Sequence, residues 1–285
     1  MVFRKLLTIF FLYLHILRVM KYALLIGINY NGTESQLNGC IHDVENIREK
    51  LITKFGFKSE NIRMLTEESV ELPTGENIVN GLIDLINKAN AVKDGTEIWI
   101  HYSGHGSYIV DNNSDEKDGK DEVIVPLDYE KNGVISDDFL HHLLSKLSPK
   151  VRCTCFFDCC HSGTILDLKY KYNKNLVETI DNPKSNITAI VFLISGCMDC
   201  QTSADYCAAN CCEWAGAMTT SFLKVLENEK YDVTCYNLLQ KLRQDLSENN
   251  FSQMPQMTCS YKLNSNTIFC NSNPQLNSII KILYI

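Results

Sequence analysis

Short, largely apolar runs at residues 22–28, 97–102, 151–157 and 189–194 alternate with segments whose apolar residues recur every three or four positions. Runs of six or seven residues bounded by polar turns suit strands buried on both faces. The i, i+3, i+4 spacing instead lays apolar side chains along one stripe of a helix. Helices are predicted at 43–55, with Val44, Ile47, Leu51 and Ile52 on one face, and at 76–90, through Ile78, Leu82, Ile83 and Ile86. Three more fall at 137–147, 217–226 and 235–246, and a last strand-like segment ends near Cys270. Strand and helix in alternation predict an α/β fold, a mostly parallel sheet with helices on both faces. Residues 111–122 read as a polar, acidic loop, and 169–186 have the composition of a linker. The chain thus divides into an N-terminal extension, 1–20, and one domain, 21–271, followed by a tail, 272–285. Within the domain the linker separates a large subregion, 21–168, from a small one, 187–271.

Charge and cysteine usage narrow the function classes. A net charge of −7 without any basic run excludes nucleic acid as a partner, because phosphate contact needs clustered Lys and Arg. Thirteen cysteines is an odd number, unlike a secreted disulfide framework. Cys153, Cys155, Cys159 and Cys160 crowd into one apolar segment and are read as small buried residues in a reducing compartment. Cys197 and Cys200 form one CxxC, followed by Cys207, Cys211 and Cys212, but no second CxxC and no paired His complete a zinc site. Near the N-terminus, Arg4 and Lys5 precede an apolar run at 6–17, too short to span a membrane but long enough for a signal core. No small-residue cleavage site follows it. The preferred reading is an upstream extension with Met20 as the functional start, which makes the protein cytoplasmic; the alternative is passage into the secretory route as a disulfide-stapled hydrolase.

In open α/β sheets, reactive groups collect at the carboxyl ends of strands. The 97–102 strand runs into Ser103-Gly104-His105-Gly106, and the 151–157 strand into Asp158-Cys159-Cys160-His161-Ser162-Gly163. If those strands are parallel neighbours, an imidazole stands beside a thiol and can take its proton, which a thiol needs before it becomes a nucleophile. The plain alternative is a buried Cys and a surface His that never meet. Other chemistries fail on the same residues. A phosphatase loop needs Arg six positions after its Cys, where Leu166 stands. His101-x-x-x-His105 has zincin spacing, but Tyr102 replaces the Glu and the context is not helical. No G-x-S-x-G elbow is present for a Ser nucleophile.

These two motifs resemble the paired catalytic motifs of the metacaspases, the caspase-like peptidases outside animals. The likeness continues in family order through Gly39-Cys40-Ile41-His42-Asp43, Asp118-Gly119-Lys120-Asp121-Glu122, Ile135-Ser136-Asp137-Asp138, Ser195-Gly196-Cys197 with Gln201-Thr202-Ser203-Ala204-Asp205, and Ser252-Gln253-Met254-Pro255-Gln256, covering about residues 21–270. The resemblance implies a caspase-like three-layer sandwich and a cysteine endopeptidase with Cys160 as nucleophile and His105 as base. It further implies an oxyanion hole from the N–H groups of Gly106 and Cys160, and an S1 pocket of Cys40, Asp43, Ser103 and Asp158. Cleavage after Arg or Lys follows, and two carboxylates do suit a cationic side chain. Asp43 has a plainer reading as well, as an acid favoured near a helix N-terminus. The resemblance also implies an activating Ca²⁺ on Asp121, Asp137, Asp138 and Asp167, no organic cofactor, protein or peptide substrates, and a monomer. The clustered Asp111, Asp115, Glu116 and Asp118 read as a solvated loop. The Pro-rich or zinc-finger N-terminal region of many relatives is not found, so regulation by a removable prodomain is not expected. Self-cleavage in the linker, at Lys169, Lys171, Lys174 or Lys184, is expected. The alternative of another class is a silent caspase-like scaffold, which would have no need to keep His105, Cys160 and the S1 acids.

Overall fold

The computed structural model describes residues 19–111, 119–160, 162–172, 177–196, 205–207 and 214–270. Its central sheet is built on four parallel pairings among β1 (Met20–Gly27), β2 (Ile62–Thr66), β3 (Thr96–Ser103), β7 (Val151–Asp158) and β10 (Ile190–Ser195), in the order β2-β1-β3-β7-β10. Three antiparallel strands extend it beyond β10: β14 (Gln256–Cys259), then β8 (Tyr170–Tyr172), then β9 (Glu178–Ile180). β4 (Gly106–Val110), β5 (Lys120–Ile124) and β6 (Ile135–Ser136) form a separate antiparallel sheet directly after β3. Two further pairs are small: β11 (Asp205–Cys207) with β12 (Trp214–Gly216), and β13 (Val233–Thr234) with β15 (Ile268–Cys270).

Alternate residues of each central strand face opposite layers, as the pleat requires. Leu24 and Ile26 of β1 join a core with Ile78, Leu82, Leu85 and Ile86 of α2 (Gly75–Ala91) and Leu140 and Leu144 of α4 (Asp137–Leu144). Ala23 and Leu25 of the same strand join the other core, against α1 (Cys40–Thr53), α5 (Ala217–Asn228) and α6 (Cys235–Glu248). A short helix, α3 (Tyr129–Asn132), lies between β5 and β6. The sheet is therefore clamped from both sides, each fully buried Leu or Ile contributing about 1.5–3 kcal/mol. Cys153, Cys155 and Cys159 are wholly buried in the α2 side of this core, so they pack as small apolar residues.

Three helices cap themselves: Thr74, Ser136 and Thr234 accept from Asn77, Phe139 and Asn237 N–H groups at the starts of α2, α4 and α6. α1 and α5 follow glycines, Gly39 and Gly216, with no side-chain cap of their own. Orphan N–H groups at a helix start need partners from elsewhere. For α1 they come from the loop after β1, where Asn29 Oδ1 accepts from Cys40 (3.0 Å) and Ile41 (3.3 Å).

Several expectations change in detail. The 169–186 stretch carries β8 and β9 and completes the sheet edge, so much of it is not a free connection. The 111–122 loop is entered by β5 from Lys120, α4 stops at Leu144, and the final strand-like segment is two strands in different sheets. Among the described residues no helix is long and apolar enough to cross a membrane.

Candidate active site

β3 and β7 are parallel neighbours, in a register that sets Ser103 opposite Asp158. His105 and Cys160 each lie two residues beyond that pair. The two strand ends touch: Gly104 N–H donates to the Asp158 carbonyl at 3.4 Å, and a Cβ on Gly106 would strike the Cys160 carbonyl oxygen. Only glycine permits that approach. Cys160 is partly exposed there, whereas Cys159 points into the core and is fully buried.

His105 is held through both its ring and its backbone. Its Nε2 lies 2.7 Å from the Ser35 carbonyl oxygen. A carbonyl only accepts, so Nε2 carries a proton, and in the neutral ring the lone pair lies on Nδ1. The Tyr30 ring packs against the imidazole with centroids 4.7 Å apart, and the Tyr30 hydroxyl accepts the His105 backbone N–H at 3.0 Å. Tyr102 donates its hydroxyl to the His105 carbonyl at 2.7 Å. Burial pushes the Tyr30 and Tyr102 hydroxyls well above the usual phenol range, so both stay protonated donors. Sequence reasoning missed Tyr30 and Ser35, and Ser35 acts through its backbone, which leaves no side-chain signal.

Asp43, Ser103 and Asp158 are brought together at the start of α5. Asp43 accepts from the Ser103 hydroxyl and from Gly216 N–H, both at 2.8 Å. Asp158 accepts the Thr219 N–H at 2.9 Å and its hydroxyl at 2.8 Å. A Cβ on Gly216 would meet both Asp158 Oδ2 and Asp43 Oδ2, so this glycine keeps open the space between the two carboxylates. Cys40, the fourth residue assigned to the pocket, opens α1 one turn before Asp43 and is buried. Asp43 is also the acid in the first turn of α1, as its plainer reading expects. Gly216 and Thr219 were not foreseen, since only the packing of α5 on the sheet brings them to these carboxylates.

A second acidic group lies apart from this pocket. Ligand oxygens of Asp137, Asp138 and Asp167 fall within 4.8 Å of one another. Asp137 and Asp138 open α4, and Asp167 stands in a left-handed conformation, φ 46°. Asp121 is buried nearby in β5. Burial pushes the Asp137 carboxyl up to about 6 against hydrogen bonds from Glu122 and Asp138, and the Asp121 charge adds to the rise. Asp137, Asp167 and Asp121 are buried and Asp138 is exposed, and oxygen ligands crowded in this way suit a hard divalent cation.

His101, the first residue of the zincin-like spacing, sits within β3 and is fully buried, stacked on Phe156 at 5.1 Å and 8°. Neither ring nitrogen has a hydrogen-bond partner among the described residues, and burial drives its pKa down to about 3. Asp115, Glu116, Asp118, His161, Lys174, Cys197, Cys200, Cys211, Cys212 and the run at 6–17 lie outside the described residues.

A mostly parallel sheet with a histidine and a cysteine beyond two neighbouring parallel strands is the architecture of a caspase-like cysteine peptidase domain. The metacaspase peptidase C14 domain matches residues 21–169. Metacaspase-1 of Eremothecium gossypii is 34% identical over 302 residues, covering 87% of this chain, and that of Candida glabrata is 35% identical over 298 residues, again covering 87%. The chain belongs to the metacaspase family. It spans 65% of the length of the Eremothecium relative and 74% of the Candida one. Among solved structures, protein GSU0716 from Geobacter sulfurreducens is similar with a TM-score of 0.62 and 25% identity, covering 86% of this chain and 95% of that one.

Proposed function

We propose that this chain is an active cysteine endopeptidase that cleaves after Arg or Lys, with Cys160 as nucleophile and His105 as base. The observation that carries the reading is the contact of Gly106 with Cys160 beside two carboxylates that share the Gly216 space. With Nε2–H engaged on Ser35, His105 Nδ1 is the atom left to take the Cys160 proton. The thiolate attacks the scissile carbonyl, and the oxyanion is received by the N–H groups of Gly106 and Cys160, fixed dipoles that need no rearrangement. His105 returns the proton to the leaving amine, a thioester remains on Cys160, and water then releases the acid with His105 again as base.

The basic P1 side chain enters between Asp43 and Asp158. Paired carboxylates suit a guanidinium or ammonium, to which they make charge-assisted hydrogen bonds. An Asp side chain would meet like charge. Cys40 and Ser103 line the same pocket.

Asp121, Asp137, Asp138 and Asp167 would hold Ca²⁺, whose charge offsets their mutual repulsion and fixes the segment carrying Asp167 that follows the nucleophile. The substrates are proteins or peptides, and no organic cofactor takes part. Hydrolysis of Arg-, Lys- and Asp-terminated fluorogenic peptides, with calcium and with chelator, tests the whole reading. Cleavage after Asp, or none after Arg and Lys, would overturn it.

A further inference from the structure

The backbone of residues 29–31 curls around one carboxylate. Glu67 Oε2 accepts from Asn29 N–H (2.5 Å) and Tyr30 N–H (3.1 Å), and Oε1 accepts from Asn31 N–H (2.7 Å). Glu67 directly follows β2, whose last residue, Thr66, is level with Gly27 at the end of β1. The side chain therefore starts beside the loop it holds. Tyr30 adopts φ 53°, a left-handed conformation that costs a non-glycine residue about 1–3 kcal/mol. Hydrogen bonds to a charged acceptor contribute roughly 1.5–3 kcal/mol each, so three of them outweigh that cost.

The same loop supplies two of the contacts on His105. Tyr30 packs on the ring and accepts the His105 N–H; Ser35, five residues later, fixes Nε2. We infer that Glu67 is a positioning residue for His105, acting through the 29–35 loop. It touches neither substrate nor the reacting atoms. The inference rests on His105 being the base. Substrate binding should suffer less than the chemical step: Asn29 of the same loop caps α1, but Asp43 is also held by Ser103 and Gly216.

Glutamine at 67 keeps the shape but turns an NH₂ group towards backbone N–H donors, so the loop is repelled where it was held. A base displaced by a fraction of an ångström to an ångström loses rate at the chemical step, so kcat is expected to fall about tenfold in Glu67→Gln while KM stays within about twofold. With its imidazole partner loosened, the Cys160 thiol loses acidity. The pH midpoint for alkylation by iodoacetamide should move upward by about half a unit or more relative to wild type. A merely structural role would lower melting temperature without moving that midpoint. Glu67→Asp, one methylene shorter with its charge kept, should show the same shifts at smaller size and decides the matter if Glu67→Gln does not fold. Glu68→Gln, at the exposed neighbouring position, should match wild type. Wild-type kcat and midpoint in the folded Glu67 variants, with His105→Ala inactive, overturn the role of Glu67 and leave the dyad standing. Full activity in His105→Ala overturns both.

Discussion

Asp158 holds the first turn of α5 through Thr219, accepting the backbone N–H and the hydroxyl of that one residue at 2.9 and 2.8 Å. Asp43 does the same for the Gly216 N–H at the helix start. The two carboxylates assigned to S1 are thus also the cap that α5 lacks in its own sequence. Truncating Asp158 removes a pocket acid and leaves buried donors unpaired, so Asp158→Ala should lose about 1–3 kcal/mol of stability together with activity.

Gly216→Ala keeps both acids in the sequence, but its methyl group would enter the space between the two carboxylates and push one of them aside. Cleavage of Arg and Lys peptides should fall more than about tenfold in kcat/KM. Alkylation of Cys160 by iodoacetamide, which needs no S1 pocket, should stay within about twofold of wild type. Unchanged peptide hydrolysis would show that the cationic side chain binds elsewhere.

His101 gives the protein an acid sensitivity with a defined sign. The ordinary pKa of 6.5 applies to the unfolded chain, and burial lowers the folded value to about 3. Above pH 6.5 both states are neutral here and nothing is lost. As pH falls from 6.5 towards 3 the unfolded chain takes up a proton that the folded chain refuses, costing up to about 1.4 kcal/mol per pH unit. His101→Phe, stacked on Phe156 in the same apolar surroundings, should flatten this limb. Urea titrations of both proteins at pH 7 and pH 5 measure it; equal slopes would reject the assignment.

Calcium is expected to act on stability as well as on rate. A ligand that binds only the folded state at a hundred times its Kd adds about 2.7 kcal/mol. Calcium should therefore raise the melting temperature by several degrees over chelator, and Asp137→Asn should lose most of that shift. A melting temperature indifferent to calcium in wild type would remove this site from the account.

Self-cleavage should be selective among the lysines of 169–186. Lys171 lies in β8, paired on one side with β14 and on the other with β9, and the Lys169 carbonyl accepts Asp181 N–H at 2.9 Å. Lys184 is exposed in the connection after β9, where local opening costs least. Mass spectrometry of wild type incubated with calcium should find the cut after Lys184 before any after Lys171. The reverse order would mean that the sheet edge opens first.

Much of this was legible because the central strands are apolar runs. β1, β3, β7 and β10 are buried on both faces, which leaves few polar positions and a strong signal. β2 was missed: as an edge strand of five residues, Ile-Arg-Met-Leu-Thr, it is only partly buried. β8 and β9 escaped for a related reason, since short edge strands need little apolar sequence. At the site, His105 stands between Gly104 and Gly106 and Cys160 stands three residues before Gly163, which makes both legible as candidates. Ser35 works through a carbonyl, Glu67 through backbone N–H groups, and Thr219 by where α5 happens to start. Those roles exist only once the chain is folded.

The most direct measurement is hydrolysis of Arg-, Lys- and Asp-terminated fluorogenic peptides, in calcium, by wild type, Cys160→Ala and Cys159→Ala. Cys160 is partly exposed, with its backbone carbonyl against Gly106, and Cys159 is buried in the core. Wild type and Cys159→Ala should cleave the Arg and Lys peptides and leave the Asp peptide intact, while Cys160→Ala should cleave none. Full activity in Cys160→Ala, or a wild type that cleaves after Asp, would contradict the account at its centre.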